Sequence, residues 1–455
     1  MERKLDSVKQ KQSSMINNVL KISGGTLFGQ LISIATLPIY TRIFGATIIG
    51  NWTLFTSVVI IVNTFSDLGL SNAIMVEETE DDTKKLFSII TTLVLIFSLL
   101  IGFGFFMFYS FFPNKAGINP IFYAFFITIL IFTQQQIQLS YSWLNRKKEY
   151  NVLMKNPVIN HASAAIVAIP LGLLGYKSYG YYIGLITGEI ITLLHMRRKL
   201  PKVFLNFSIK DHKSALSKHR EFCFYQMPTN IVAQFKNQAP VLFIRTLFGA
   251  EILGYYSVSM KVLKIPITFL ANSIGKVYYQ RIVEMTKKKQ DIGEFTYRNI
   301  SRAAKIAIIP MSILLSLSDL ACKIFLGPDF IVAGNITRIV AFNSFFTFLM
   351  MSTQGLAIVV HKQKYSLISG VTQLIGYAFG LAVGKFYFNN IYIGCIIMTI
   401  IFCFVQIVYF SKLFQVINIS AYRYLKSVFA SIIIIFICSA AIRIISNILG
   451  IVSGI

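Results

Sequence analysis

The chain has 455 residues, of which 55% are hydrophobic and only 13% charged, and its formal net charge is +25. A soluble domain carries roughly a quarter charged residues, so the composition excludes an ordinary soluble protein and indicates an integral membrane protein. A length that would make about three soluble domains instead accommodates roughly a dozen spans of ~20 apolar residues with short loops.

The segment from Met1 to Met15 is polar and basic and lacks the short apolar core and small-residue cleavage site of a signal peptide, so the first span is expected to direct insertion. Apolar runs bounded by charge or turn clusters predict thirteen spans, at 17–40, 48–68, 86–112, 119–143, 156–174, 178–196, 223–247, 252–276, 301–326, 333–360, 365–386, 391–413 and 425–449. Their length and near-continuous apolarity exclude a transmembrane barrel, whose strands would alternate every second residue. The predicted fold class is therefore an all-α polytopic membrane protein. Five cysteines (Cys223, Cys322, Cys395, Cys403, Cys438) are scattered over the spans without a CxxC pair, which argues against a disulfide framework and a metal site.

Between the first two spans lies Phe44-Gly45-Ala46-Thr47-Ile48-Ile49-Gly50, and between the seventh and eighth Phe248-Gly249-Ala250-Glu251-Ile252-Leu253-Gly254, with Arg42 and Arg245 close upstream. The chain thus reads as two related halves. Six spans separate the copies, an even number, so both face one side and the halves are parallel repeats about an axis along the membrane normal. The expected division is a lobe at 1–196, a basic cytoplasmic linker at 197–222, a second lobe at 223–414 and an additional span within 415–455. That thirteenth span falls outside the duplication, and Ile455 follows soon after it, which leaves a fourteenth span open.

With the N-terminus inside, most of the 43 basic residues fall on inner segments, chiefly the tail (Arg3, Lys4, Lys9, Lys11), 197–220 and 281–305, while the outer loops hold Arg42, Lys115, Lys177, Arg245 and Lys385. This is the positive-inside distribution. The basic loops 197–220 and 281–298 read as topology determinants and contacts for anionic lipid headgroups. Without an aromatic stacking platform or a recognised fold they do not indicate nucleic-acid binding.

A charged side chain near the bilayer centre costs ~2.5–3.5 kcal/mol on insertion scales, which makes it a functional hypothesis. Lys236 and Lys261 are expected ~14–17 Å deep on neighbouring spans, with Lys264 one turn beyond Lys261. They suggest a floor for an anionic group such as phosphate or pyrophosphate, against the plainer reading of stems that snorkel or pair with an acid. Polar residues recur at helical spacing: Ser23, Thr26, Gln30 and Ser33 on span one; Thr133, Gln134, Gln135, Gln136 and Gln138 on span four; Gln226, Asn230, Gln234, Asn237 and Gln238 on span seven; and Asn343, Thr347 and Gln354 on span ten. Such stripes avoid lipid and are expected to face an interior, either as glue between helices or as a hydrated cavity for sugar hydroxyls. The ion-coupling candidates are Glu189 and Asp67, with Asp319 third; Glu189 has the alternative of pairing with His195 or a lysine. His161 and His195 lie near helix ends. The sequence contains no Walker A loop, which argues against a built-in ATP motor, and neither an enzyme nor a cofactor is expected.

The order and spacing of Gly24-Gly25-Thr26, Pro38-Ile39-Tyr40-Thr41-Arg42-Ile43-Phe44-Gly45, Gly50-Asn51-Trp52, Phe65-Ser66-Asp67-Leu68-Gly69-Leu70, Gly254-Tyr255-Tyr256 and Leu326-Gly327-Pro328-Asp329-Phe330 resemble the polysaccharide-flippase (Wzx-type) branch of the multidrug/oligosaccharidyl-lipid/polysaccharide exporter superfamily. The resemblance covers most of the chain and is strongest in the first 80 residues. It implies two six-helix lobes around a V-shaped cavity. It also implies movement of an undecaprenyl-pyrophosphate-linked oligosaccharide across a bacterial cytoplasmic membrane for O-antigen, capsule or exopolysaccharide assembly. The lysines would hold pyrophosphate and the amides sugar. The implied partners are the lipid-linked oligosaccharide, membrane lipids and other glycan-assembly proteins, around a functional monomer; the coupling ion, H+ or Na+, is open. A cation-coupled drug exporter would favour an acidic cavity, and a glycan polymerase or ligase a large outer loop; neither is indicated here.

Overall fold

The computed structural model describes residues 2–111, 119–202 and 205–449, with side chains from Gly24 onward except at 109, 120, 265, 266, 268 and 269. Lys115, the chain end at Ile455, and the side chains of the basic tail and Ser23 lie outside the described residues. All regular elements within them are helical: α1 (Glu2–Ser66), α2 (Glu80–Phe111), α3 (Pro120–Arg146), α4 (Tyr150–Leu173), α5 (Lys177–Arg197), α6 (Ile209–Lys218), α7 (Met227–Phe248), α8 (Ala250–Pro266), α9 (Asn272–Lys287), α10 (Gly293–Leu326), α11 (Ile331–Ser352), α12 (Leu356–Val359), α13 (Gln363–Phe386), α14 (Ile391–Val416) and α15 (Ala421–Ile448). Each of the thirteen expected spans coincides with a helix or helix segment.

Their boundaries follow local chemistry. Asn119 and Asn390 accept hydrogen bonds from the backbone N–H of Ile121 and Tyr392 and so cap α3 and α14. Glu80, Asp81 and Asp82 place negative charge in the first turn of α2. Three boundaries depart from the sequence reading. Spans one and two are two helices that meet without a loop at Gly45, where the backbone leaves the helical conformation. The segment expected as a basic loop at 281–298 is helical to Lys287, because a π-helical stretch at Ile267–Ala271 joins α8 to α9. Span ten ends at Ser352, with α12 as a separate short turn after Gly355.

Among the described residues, nine helices are long and apolar enough to cross a membrane, counting the kinked 24–66 once. The expected spans on α5, α7 and α8 are not among them, and these carry Glu189, Lys236 and Lys261. A span this polar is stable only where other helices shelter its polar face.

The chain divides into two compact units, residues 1–44 with 55–238, and residues 45–54 with 239–455. The boundary falls inside α7 rather than in 197–222, and a short piece of α1 belongs to the second unit. In the first unit, Phe87, Ile90, Val94, Leu139 and Trp143 form a core with the short helical segment at Leu70–Met75. In the second, a core from α10, α11 and α14 includes Tyr424, Val428 and Ile435 of α15, so the thirteenth span is built into the unit.

The piece 45–54 explains the duplicated heptapeptide. Gly45 and Gly249, at equivalent positions, have φ of 73° and 95°, a conformation that glycine adopts without a Cβ penalty. Gly50 packs against the backbone of Ala250 and Gly254, and Gly254 against that of Ala46. Thr53 and Ser257, separated by the same 204 residues as the two copies, share a 2.8 Å hydrogen bond. The copies therefore pack reciprocally, as a two-fold repeat requires. Gly254→Leu is expected to force these backbones apart and to lower stability by about 3 kcal/mol, at the upper end of overpacking costs. Thermal unfolding in detergent measures this; an unchanged midpoint refutes the packing role.

The segment between the units' long helices is tied to the first unit. In α6, which Ser208 caps, Asp211 pairs with Lys85 at 2.8 Å; Lys218, its last residue, and His219, just beyond it, each meet the Glu77 carboxylate at 2.7 Å. Burial alone would raise the Glu77 carboxyl, but hydrogen bonds from Lys218 and His219 outweigh it and hold it below the ordinary carboxylate range. Hydrogen bonds from Lys85 and Asn206 do the same for Asp211. Both groups have folded values below their unfolded ones, so their stabilisation is complete above the unfolded value and is lost as pH falls through the folded one. Amide exchange at 209–219 is accordingly expected to accelerate below about pH 4. In the double variant Glu77→Gln/Asp211→Asn it should be fast already at neutral pH and lose that dependence.

Candidate functional site

Within the first unit, the polar faces of α1, α3 and α7 meet at a cavity of about 480 Å³. The second half of α1 contributes Ile60, Asn63 and Thr64, spaced i, i+3, i+4 and hence on one face, and Asp67 follows directly after its last residue. Asn72 comes from the short helical segment after it, Gln134, Gln135 and Gln138 from α3, and Asn230 and Gln234 from α7. Gln226 is presented by a π-helical turn, Phe222–Gln226, that precedes α7; π-turns recur at functional sites because they re-aim side chains.

Eight of the lining residues are carboxamides, each offering two N–H donors and an acceptor oxygen. Asn63 is 8% exposed, and its Oδ1 has no hydrogen-bond partner among the described residues. A buried acceptor without a partner costs roughly 1–3 kcal/mol unless a ligand or water meets it. Neither lysine nor arginine lines the cavity. Its one charged group, Asp67, already accepts hydrogen bonds from the backbone N–H of Gly69 and Ser71, both at 3.0 Å, and so holds the turn that follows α1. The surface suits a neutral, polyhydroxylated ligand, whose hydroxyls both donate and accept.

Glu189 of α5 stands behind this wall. Thr133 Oγ1 donates to its Oε2 at 3.0 Å and Gln134 Nε2 to its Oε1 at 2.9 Å. The partners are thus an α3 hydroxyl and amide, rather than His195 or a lysine. Gln134 both lines the cavity and binds the carboxylate, so the charge on Glu189 bears directly on how that amide is oriented.

The structure gathers only part of the expected set. Gln134 and Asn230 line the cavity; Gln30, Asn237, Lys236, Lys261 and Lys264 do not. Lys236 lies two residues beyond Gln234, about 200° around α7, and therefore on another face from the carboxamides. It is half-buried, and Lys261 on α8 is exposed; neither has a hydrogen-bond or ion-pair partner among the described residues. Lys264 is exposed, and its carbonyl accepts the N–H of Ile267 where the helix turns π-helical. Gln30 is half-buried on the first half of α1, whose Gly25 and Gly29 pack on Met154 and Pro157 of α4. The missed residues, Asn63, Thr64 and Asn72, did leave a signal: Asn63 and Thr64 interrupt an apolar run at the spacing that leads to Asp67.

Asp319, the third acid, is 3% exposed and lies between two arginines of the second unit. Arg443 Nη1 reaches its Oδ1 at 2.9 Å and Arg338 Nη1 its Oδ2 at 3.3 Å, which ties α10 to α11 and α15.

These features define a multi-pass, all-helical membrane protein with the fold of the MOP-superfamily transporters. A lipid II flippase, MurJ, in an inward closed conformation matches over 98% of this chain and 97% of its own, with a TM-score of 0.63 and 16% identity. An inward-facing multidrug resistance MATE transporter matches over 88% and 94%, at 0.54 and 15%. A MOP-superfamily transporter from Pyrococcus furiosus, described as having a binding pocket of reversed polarity, matches over 88% and 95%, at 0.55 and 13%. At these identities the likeness is one of fold. The chain belongs to the family described as polysaccharide biosynthesis protein, whose model matches residues 39–335. No curated protein matches it.

Proposed function

We propose that the protein is a flippase that moves a lipid-linked oligosaccharide, carried on undecaprenyl pyrophosphate, from the cytoplasmic to the opposite leaflet of a bacterial cytoplasmic membrane. The observation that carries this reading is the cavity lined by eight carboxamide side chains. Family membership and the MOP fold support it. In this mechanism the glycan occupies the amide cavity while the lipid tail stays in the bilayer. Lys236, whose ammonium has no hydrogen-bond or ion-pair partner among the described residues, meets the pyrophosphate, since an isolated ammonium in a span is costly without an anion. Alternating access, the mechanism that a parallel repeat suggests, then opens the site to one side of the membrane at a time.

Glu189 is the proposed coupling site. When it takes up a proton or a cation, its hold on Thr133 and Gln134 changes, and Gln134 can turn its amide toward the sugar. A drug exporter is disfavoured because the cavity presents no free carboxylate to a cationic drug.

The test is translocation by the purified protein in liposomes, read as the exposure of a lipid-linked oligosaccharide to an impermeant lectin. Translocation above the rate of protein-free vesicles, accelerated by an imposed proton or sodium gradient in the parent and insensitive to it in Glu189→Gln, is the expected result. No translocation by folded protein under either gradient overturns the proposal.

A further inference from the structure

A second cavity, of about 560 Å³, lies in the second unit where α10 and α15 end and α11 and α14 begin. Its polar lining is Arg338, Arg443, Asn335, Tyr392 and Ser439, and its apolar wall includes Leu315, Ile339 and Phe436. The two guanidiniums share one carboxylate. Arg338 Nε donates to the Leu315 carbonyl at 2.8 Å, and Arg443 Nη1 to the Ser316 carbonyl at 3.0 Å. Asp319 Oδ1 also accepts the N–H of Leu320 at 2.9 Å. Asp319 thus accepts three hydrogen bonds, while more than half of the guanidinium N–H donors have no partner among the described residues.

The cluster carries one positive charge in excess, within a span. Arg338 lies seven residues past the start of α11, Asp319 seven before the end of α10 and Arg443 five before the end of α15. At 1.5 Å per residue these groups sit roughly 8–11 Å along their helices, near the depth where headgroups meet acyl chains. The arginine side chains remain 38% and 26% exposed, while Asp319 is 5%. The two arginines tie α11 and α15 to α10, yet the single carboxylate balances only one of their charges; the excess carries a desolvation cost that an anion in the cavity would offset.

We propose that this cavity binds the phosphate of a membrane lipid. The free guanidinium edges take the phosphate oxygens, a geometry for which arginine is suited. Asn335, Tyr392 and Ser439 meet the polar headgroup, and the acyl chain follows Leu315, Ile339 and Phe436. The apolar wall argues for a lipid rather than free phosphate. The site is independent of the carboxamide cavity and of the transport reading.

The experiment is native mass spectrometry and thermal unfolding of the delipidated full-length protein in detergent. The probes are phosphatidylglycerol, diacylglycerol, which lacks phosphate, and sodium phosphate. Arg338→Gln removes the excess charge and leaves the Arg443–Asp319 pair; Ser439→Leu narrows the cavity and leaves all three charged groups, so it serves if the first variant is misfolded. Phosphatidylglycerol is expected to bind and stabilise the parent, with at least tenfold weaker binding to a folded variant and no protection by diacylglycerol. Equal binding to the parent and both variants overturns the proposal. Protection by sodium phosphate as strong as by phosphatidylglycerol also overturns it, because the occupant is then the free anion.

Discussion

Asn230→Leu combined with Gln138→Leu is expected to raise the half-saturating concentration of a lipid-linked oligosaccharide by 10- to 100-fold. Both side chains line the amide cavity, on α7 and α3. Each amide–hydroxyl hydrogen bond contributes a net ~0.5–1.5 kcal/mol, and its loss also leaves a desolvated sugar hydroxyl without a partner. The loss should depend on the sugar. Transport of a carrier bearing one residue should fall less than that of a full repeat unit, and Asn230→Gln, which keeps the amide, should retain most activity. Lys236→Ala, on a different face of α7, is expected to impair both carriers alike. If the leucine double variant folds and transports the full repeat unit at the parent concentration dependence, the cavity is not the glycan site.

Asp319→Leu is expected to cost about 3–5 kcal/mol, the range for removing one partner from a buried ion pair. Asp319 is nearly inaccessible and is the carboxylate shared by Arg338 and Arg443. Its loss leaves two guanidiniums in a span with only carbonyl partners and unlinks α15 from α10 and α11. The partial exposure of both arginines places the effect toward the lower end. Replacing all three charged residues by leucine should recover most of the loss, because no uncompensated charge remains. Unfolding midpoints in detergent for the single and triple variants decide this: a triple variant no more stable than Asp319→Leu means that the charges do not account for the cost.

The site was legible in part. Gln134 and Asn230 line the cavity and belong to amide stripes at helical spacing, which cannot face lipid, a constraint visible in any span. Asn63 and Thr64 were overlooked because two polar residues near a span's end also suit an ordinary helix terminus. Lys236 was grouped with the amides from its depth, yet depth fixes height along a helix and leaves its azimuth open; two residues from Gln234 reverse the face. For Glu189 the sequence showed burial, but its partners lie 55 and 56 residues away on α3, and no local pattern names them.

Apolar run length located the long helices, because each span must satisfy its backbone internally and needs ~20 apolar residues. The repeated heptapeptide marked two segments that correspond across 204 residues. Only the tertiary structure decided how the copies meet, since reciprocal contact of Gly50 with Ala250 and of Gly254 with Ala46 is a relation between segments distant in the chain. It also decided that the thirteenth helix is secured through Arg443 to Asp319, and which polar faces share a cavity. Periodicity along one helix defines a face, but what that face meets depends on how the helix is rotated against its neighbours.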